Sequence, residues 1–323
     1  MNDFRMIPGQ DRAKRLLQNS LRTDKLSHAY IFAGPLGSGK KEMARAFVGA
    51  LFCERNTDES CGECLECRKL DHGNHPDLFW IEPDGASIKI DQVRELQQQF
   101  VYRSASTRPK VYVLNEADRL TAQAANSLLK FLEEPQTPTI GILITANGQA
   151  LLPTLQSRSQ WVPFFPLAPE QMKPVLLAEG LSPELVHTAV HLAAGVEAAR
   201  SLIQINWFAE TRNLVIQLMK DLAQKQPFVV SVQQKVVKSE VAEHLDTLFD
   251  MIMLWYKDII HVCTGRKHRI VYIDQADLLT KIAFTRDAEW WIGCMERAVE
   301  GRKRLRSNAN AQLVLEQFLI GVK

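Results

Sequence analysis

Gly34-Pro35-Leu36-Gly37-Ser38-Gly39-Lys40-Lys41 (GPLGSGKK) is the stretch on which the fold turns. It meets the phosphate-loop pattern G-x-x-x-x-G-K-[ST] except at the last place, where Lys41 replaces the hydroxyl that touches magnesium. Gly34, Gly37 and Gly39 let backbone amides turn toward a phosphate chain, and Lys40 is placed for its outer phosphates. A glycine-rich strand-to-helix turn with no ligand is the plain alternative. Context favours the loop: residues 28–34 (HAYIFAG) suit a buried strand, and residues 40–52 (KKEMARAFVGALF) an amphipathic helix.

Working outward, apolar runs at 77–83, 110–120, 139–146 and 159–167 predict further strands. Helices are predicted at 8–23, with Pro8 near its start, at 91–102, capped by Asp91, and at 121–135, stopped by Pro135. This alternation predicts an α/β domain with a mainly parallel sheet over 1–166. Residues 167–206 read as short helices, and 207–323 as longer helices with apolar residues at helical spacing. The chain has 323 residues, 46% hydrophobic and 24% charged, the profile of a soluble globular protein with two or three domains. A net charge of +2 is too small for a generic nucleic-acid binder. No apolar run approaches the roughly 18–20 residues of a membrane span. The N-terminal MNDFRMIPGQDRAKRLL lacks an apolar signal core, so a cytoplasmic location is expected.

Magnesium in phosphate-loop sites is held by the loop hydroxyl and by an Asp at the end of another strand. Here the strand at 110–120 ends in Asn115-Glu116, so both anchors are altered together. Because the metal supplies several kcal/mol of transition-state charge stabilisation, the expectation is a site that holds ATP or ADP but does not hydrolyse it. The candidate nucleotide residues are Gly34, Gly37, Gly39, Lys40, Lys41, Asn115, Glu116 and Thr145.

Of six cysteines, Cys53, Cys61, Cys64 and Cys67 fall within fifteen residues at spacing C-x7-C-x2-C-x2-C. Four thiolates suit a tetrahedral structural zinc. An iron–sulfur cluster is the chemical rival, but the ferredoxin run would put Cys at 71 and Pro after it, where this chain has Asp71 and His72. His72 and His75 are spare ligands that read as solvated. Cys263 and Cys294 read as core residues. Arg158, in LQSRSQW (155–161), sits where an arginine reaches a neighbouring subunit's nucleotide. The basic run Arg302, Lys303, Arg304 and Arg306 suits either phosphate contacts or a solvated helix face, and the second reading is preferred.

These residues together resemble the AAA+ subunits of the bacterial DNA polymerase III clamp loader, the delta-prime branch above all. The resemblance rests on LSHAYIFAGPLGSGKKEMA, the four-cysteine module, HPDLFWIEPDG, and LTAQAANSLLKFLEEPQTPTIGILITAN leading to LPTLQSRSQ. The tail SNANAQLVLEQFL adds to it. The family implies an AAA+ domain (1–166) with an inserted zinc module (53–67), a small helical lid (167–206) and a helical collar (207–323). Its partners would be delta and tau/gamma subunits in a hetero-pentamer, which loads a sliding clamp onto primer-template DNA. Arg158 would be an arginine finger acting in trans, its Ser-Arg-Cys motif here Ser157-Arg158-Ser159. The lid's sensor arginine is replaced by Ala198, with Arg200 two residues on, while Thr145 and Asn147 lie where the first sensor sits. These departures imply a non-hydrolysing subunit within a DNA-directed DNA polymerase assembly. The alternatives are a hydrolytically active tau/gamma-type ATPase and a DNA-binding scaffold working through residues 302–306.

Overall fold

The structure, a computed structural model, describes residues 3–55, 58–101, 108–133, 138–224, 240–306 and 310–322. Packing divides it into two compact units, one of residues 1–171 with 194–198, the other of residues 172–193 with 199–323.

The first unit is built on β1 (Ala29–Ala33), β2 (Leu78–Ile81), β3 (Lys110–Leu114), β4 (Thr139–Thr145) and β5 (Gln160–Pro163). All neighbouring strands are parallel, in the order β2-β3-β4-β1-β5. The central strands are apolar on both faces because both are covered, as parallel sheets require. Alternate residues sort cleanly between two cores. Tyr30, Phe32, Val111, Val113, Ile140, Ile142 and Ile144 pack against α1 (Asp11–Arg22) and α2 (Lys40–Phe52). Ile31, Tyr112, Leu114 and Leu143 face α4 (Ile90–Val101) and α5 (Ala122–Glu133) instead. A short α3 (Leu65–Asp71) closes the cysteine module, and α6 (Pro153–Arg158) leads into β5. Asp91 lies inside α4 rather than capping it, and Pro135 is outside the described residues.

The carboxyl ends of β1, β2, β3 and β4 deliver Gly34, Glu82, Asn115 and Thr145 to one edge of the sheet. That edge is where parallel α/β sheets bind ligands.

Helices follow: α7 (Pro169–Ala178), α8 (Pro183–Leu192), α9 (Val196–Gln204), α10 (Asn206–Ala223), α11 (Leu245–Cys263), α12 (Ala276–Ala283), α13 (Ala288–Arg306) and α14 (Ala311–Gly321). In the second unit α11 is the axis, burying Leu248, Phe249, Ile252, Trp255 and Ile259. Phe249 meets Phe318 of α14 edge-on at 5.5 Å, and Trp255 meets Tyr272 at 5.0 Å. Arg212, 4% exposed, binds Asp274 and the Thr188 hydroxyl and lies over the Tyr272 ring, joining α10 to α8. Cys294 is fully buried, while Cys263 is half-buried and donates to the Ala283 carbonyl. No helix among the described residues is long and apolar enough to cross a membrane.

Candidate functional site

The loop after β1 is held from several sides. The Gly34 amide donates to the Thr145 carbonyl of β4 (3.2 Å), and the Gln10 side chain donates to the carbonyls of Ser38 (3.0 Å) and Phe165 (2.6 Å). Gly37 (φ 76°) and Gly39 (φ 89°) take left-handed conformations that side chains strain to adopt, and α2 starts immediately afterwards. Lys40 is 5% exposed, and its ammonium donates to the Gly34 and Pro35 carbonyls of its own loop. Burial lowers its pKa to about 8, against the pull of Asp118 and Glu42. A phosphate entering here has to replace two carbonyls already engaged by the lysine.

Segment 194–198 lies directly on this loop. A Cβ on Gly195 would fall 1.8 Å from the Gly37 carbonyl oxygen, and one on Gly37 would fall 2.3 Å from Ala198 Cβ. The place expected to carry a sensor arginine therefore does touch the loop, but with a methyl group. Arg200 offers no substitute, because its guanidinium holds both carboxylate oxygens of Glu179 at 2.7 and 2.5 Å in the second unit.

Lys41 and Asn115, the two residues standing where magnesium anchors are expected, converge on one side chain, Glu82 at the end of β2. Its Oε1 lies 3.2 Å from the Lys41 ammonium and its Oε2 accepts from Asn115 Nδ2 at 2.6 Å. The Trp80 indole also donates to Oε1 (2.9 Å). Glu82 is held below the usual carboxylate range: burial opposes this, but the donors Trp80, Asn115 and Lys41 outweigh it. An exposed cation and a buried amide thus share the carboxylate.

Glu116, beside Asn115, has a left-handed backbone (φ 51°) and its carboxylate pairs with Arg119 at 2.9 Å. Thr145 donates its hydroxyl to Asp118 Oδ1 at 2.7 Å and accepts from the Asn147 amide at 3.0 Å. Asn147 in turn caps the turn at 148–150. Glu82 and Asp118 were not singled out from sequence. Their position just past the ends of β2 and β3 is the signal that finds them.

Arg158 ends α6, 41% exposed at its side chain, with Nη2 on Glu133 Oε1 at 2.7 Å and Nη1 donating to the Thr154 carbonyl at 3.3 Å. An exposed pair of this kind is worth about 0–1 kcal/mol and is easily exchanged for a stronger anion.

The four cysteines come together at the far end of α2. Their sulfurs lie within 4.8 Å of one another, with Cys61 and Cys67 at 3.9 Å. Four thiolates bonded to zinc at about 2.3 Å in a tetrahedron have that separation, so the residues fit the ion. Amides of Glu63 and Cys64 point at Cys61 Sγ (3.5 and 3.3 Å) and lower its pKa to about 6, favouring the thiolate, whereas burial pushes the Cys67 thiol up to about 12. His75 is not solvated as its sequence setting suggested. It is buried, stacks on Phe52 at 3.9 Å and places Nε2 2.9 Å from Glu66, supporting the module from behind. Arg108 donates to the Leu51 and Cys53 carbonyls at 3.2 and 2.8 Å, tying the module to the start of β3.

The basic run at 302–304 is compensated locally. Arg302 pairs with Asp250 (2.9 Å), and Arg304 binds Glu300 (3.2 Å) and Gln317 (2.7 Å), as the helix-face reading expected.

Comparison with known proteins agrees with this architecture. A family model described as DNA polymerase III, delta subunit, matches residues 9–168, and its C-terminal counterpart matches residues 206–323. The chain is 35% identical to DNA polymerase III subunit delta' of Bacillus subtilis over 313 residues, 96% of this chain and 95% of that one. It is 29% identical to subunit delta' of Pseudomonas aeruginosa over 308 residues, covering 91% of each. With subunit tau of Bacillus subtilis it shares 30% identity over 260 residues, 77% of this chain and 46% of that protein. A parallel α/β unit with a glycine-rich loop between its first strand and the next helix, a helical C-terminal region, and similarity along nearly its whole length assign the chain to the delta-prime family of bacterial DNA polymerase III subunits.

Proposed function

We propose that this chain is a stator of the DNA polymerase III clamp loader, one that hydrolyses no ATP itself and donates Arg158 in trans to an adjacent tau/gamma ATPase site. The observation that carries the reading is the chemistry at the two magnesium-anchor positions, an ammonium (Lys41) and a buried amide (Asn115) that meet on Glu82. A bound magnesium would supply charge neutralisation in the transition state, and neither Lys41 nor Asn115 offers a carboxylate to hold it. Lys40 and the loop amides remain suited to ATP or ADP as an unhydrolysed ligand. Arg158 is exposed at a helix end with a weakly held partner.

In this reading residues 1–166 form the AAA+ domain, 167–206 a lid and 207–323 a collar. Delta and tau/gamma subunits complete a hetero-pentamer that places the sliding clamp on primed DNA. Cys53, Cys61, Cys64 and Cys67 hold a structural zinc with no open coordination position. The deciding experiment is ATP turnover by the reconstituted complex with wild-type chain and with Arg158→Ala. Intact assembly with depressed clamp- and DNA-stimulated turnover supports the finger, and unchanged turnover refutes it. Magnesium-dependent turnover by the purified chain alone would instead support a tau/gamma-type enzyme.

A further inference from the structure

The cations of the run at 302–304 are balanced by neighbours, but another cluster is not. After α11 the chain turns at Gly265 (φ 73°) into a tight helical turn, Lys267–Arg269, which leaves Arg266, Lys267, His268 and Arg269 consecutively exposed. Lys257, also exposed, lies on α11 nearby. Among the described residues no ion pair involves Lys257, Arg266, Lys267 or Arg269, whereas Arg302 and Arg304 are each paired. These four cations stand against a net charge of only +2 for the whole chain.

The turn is built rather than loose. The Arg266 amide donates to the His261 carbonyl (2.7 Å) and the Arg269 amide to the Arg266 carbonyl (3.0 Å). Just beyond, the fully buried Asp258 carboxylate accepts from the Val271 amide (3.0 and 2.9 Å) and the Tyr272 amide (2.8 Å), pinning the segment's far end. The helix dipole accounts for cations within the last turn of α11, and its influence falls off there. Residues 266–269 lie past it. His261 lies in the resulting field: burial and then Lys257, Arg269, Arg266 and His268 hold it below the ordinary imidazole range.

We propose that the Arg266–Arg269 turn, with Lys257, is a contact for the phosphate backbone of nucleic acid. A row of uncompensated cations matches a row of phosphates, and no Phe, Tyr or Trp stands among residues 264–269 to stack on bases, so the contact is independent of sequence. Membership in a DNA polymerase III family favours nucleic acid over an acidic protein surface. The inference rests on that membership and on this turn, not on the role of Arg158.

The test is fluorescence anisotropy of the full chain with a labelled DNA duplex across a salt series. Each phosphate contact contributes about 0.9 to the slope of log affinity against log salt. Arg266→Gln/Lys267→Gln/Arg269→Gln should therefore lower the slope by about 2.7. Between 50 and 200 mM salt that corresponds to roughly 40-fold less loss of affinity than in wild type. Arg302→Gln/Lys303→Gln/Arg304→Gln should leave the slope unchanged, and thermal unfolding of both variants checks that they remain folded. No duplex binding by the wild-type chain, an equal slope in wild type and the 266–269 variant, or equally effective competition by polyglutamate of matched charge would each overturn the proposal.

Discussion

Glu82→Ala is the sharpest probe of the network at the sheet edge. The substitution removes the acceptor of three donors, but the three losses differ in cost. Lys41 is 45% exposed at its side chain, so water replaces its ion pair and the change is about 0–1 kcal/mol. The Trp80 indole, half-buried, can likewise be met by water. Asn115 is 2% exposed, and its Nδ2 loses the 2.6 Å bond inside the protein. An orphaned buried donor costs about 1–3 kcal/mol, and this term dominates. For a unit of this size each kcal/mol moves the midpoint by about 2–4 °C, so a fall of roughly 2–12 °C is expected. Glu82→Gln keeps a carbonyl acceptor and should cost about 1 kcal/mol or less. Asn115→Ala orphans nothing buried, because Glu82 is 49% exposed at its side chain and rehydrates. The double variant Glu82→Ala/Asn115→Ala should thus be about as stable as Asn115→Ala alone. Thermal unfolding of the full chain, followed by intrinsic fluorescence to which Trp80 and Trp161 contribute from the first unit, gives all four values. Equal losses for Glu82→Ala and Glu82→Gln, or strict additivity in the double variant, would refute the reasoning.

Other expectations concern the remaining features. Arg158→Ala should lower turnover at the one affected ATPase site of the complex by up to about 10³–10⁵-fold. Glu133→Gln, which frees Arg158 from its 2.7 Å partner, should lower the KM for ATP by about 1.4- to 5-fold, the equivalent of an exposed ion pair. The same change should be silent in an Arg158→Ala background. Metal analysis should find about one zinc per chain, and Cys64→Ser should lose both the metal and thermal stability; full metal content in that variant would contradict four-thiolate ligation. Asp258→Asn leaves one of two accepting oxygens for three close contacts from two amides, and should cost about 1–3 kcal/mol in urea unfolding. Burial raises Asp258 to about 6 from 3.8, against its backbone donors, so the folded state holds the proton longer. This group's contribution to stability therefore falls as pH rises from about 4 to about 6, and the Asn variant should lack that component.

The sheet was legible because its strands are apolar on both faces and are punctuated by glycine, proline or polar turns. The loop was legible because glycine spacing and flanking elements agree. The four cysteines announced themselves by spacing alone. What sequence reading could not supply was the partner of each unusual residue. Lys41 and Asn115 stand 74 positions apart and read as two independent departures. Only the parallel register, which brings the end of β2 beside that of β3, shows that Glu82 joins them. Segment 194–198 was likewise placed within a run of short helices, yet it packs on the loop. His75 was misread for the same reason: a polar residue between Asn74 and Pro76 looks exposed until Phe52 and Glu66 arrive from elsewhere.

Helix α2 begins in the phosphate loop and ends one residue before Cys53. At about 1.5 Å per residue its thirteen residues make a strut of roughly 20 Å with a clamp at each end. At one end Lys40 is bound into the loop, and at the other Arg108 grips the Leu51 and Cys53 carbonyls beside the thiolates. A strut fixed in this way can neither slide nor roll without breaking one of its clamps. A change of loop shape with the helix in place therefore falls on Gly37 and Gly39, and the cysteine module is the abutment at the helix's other end.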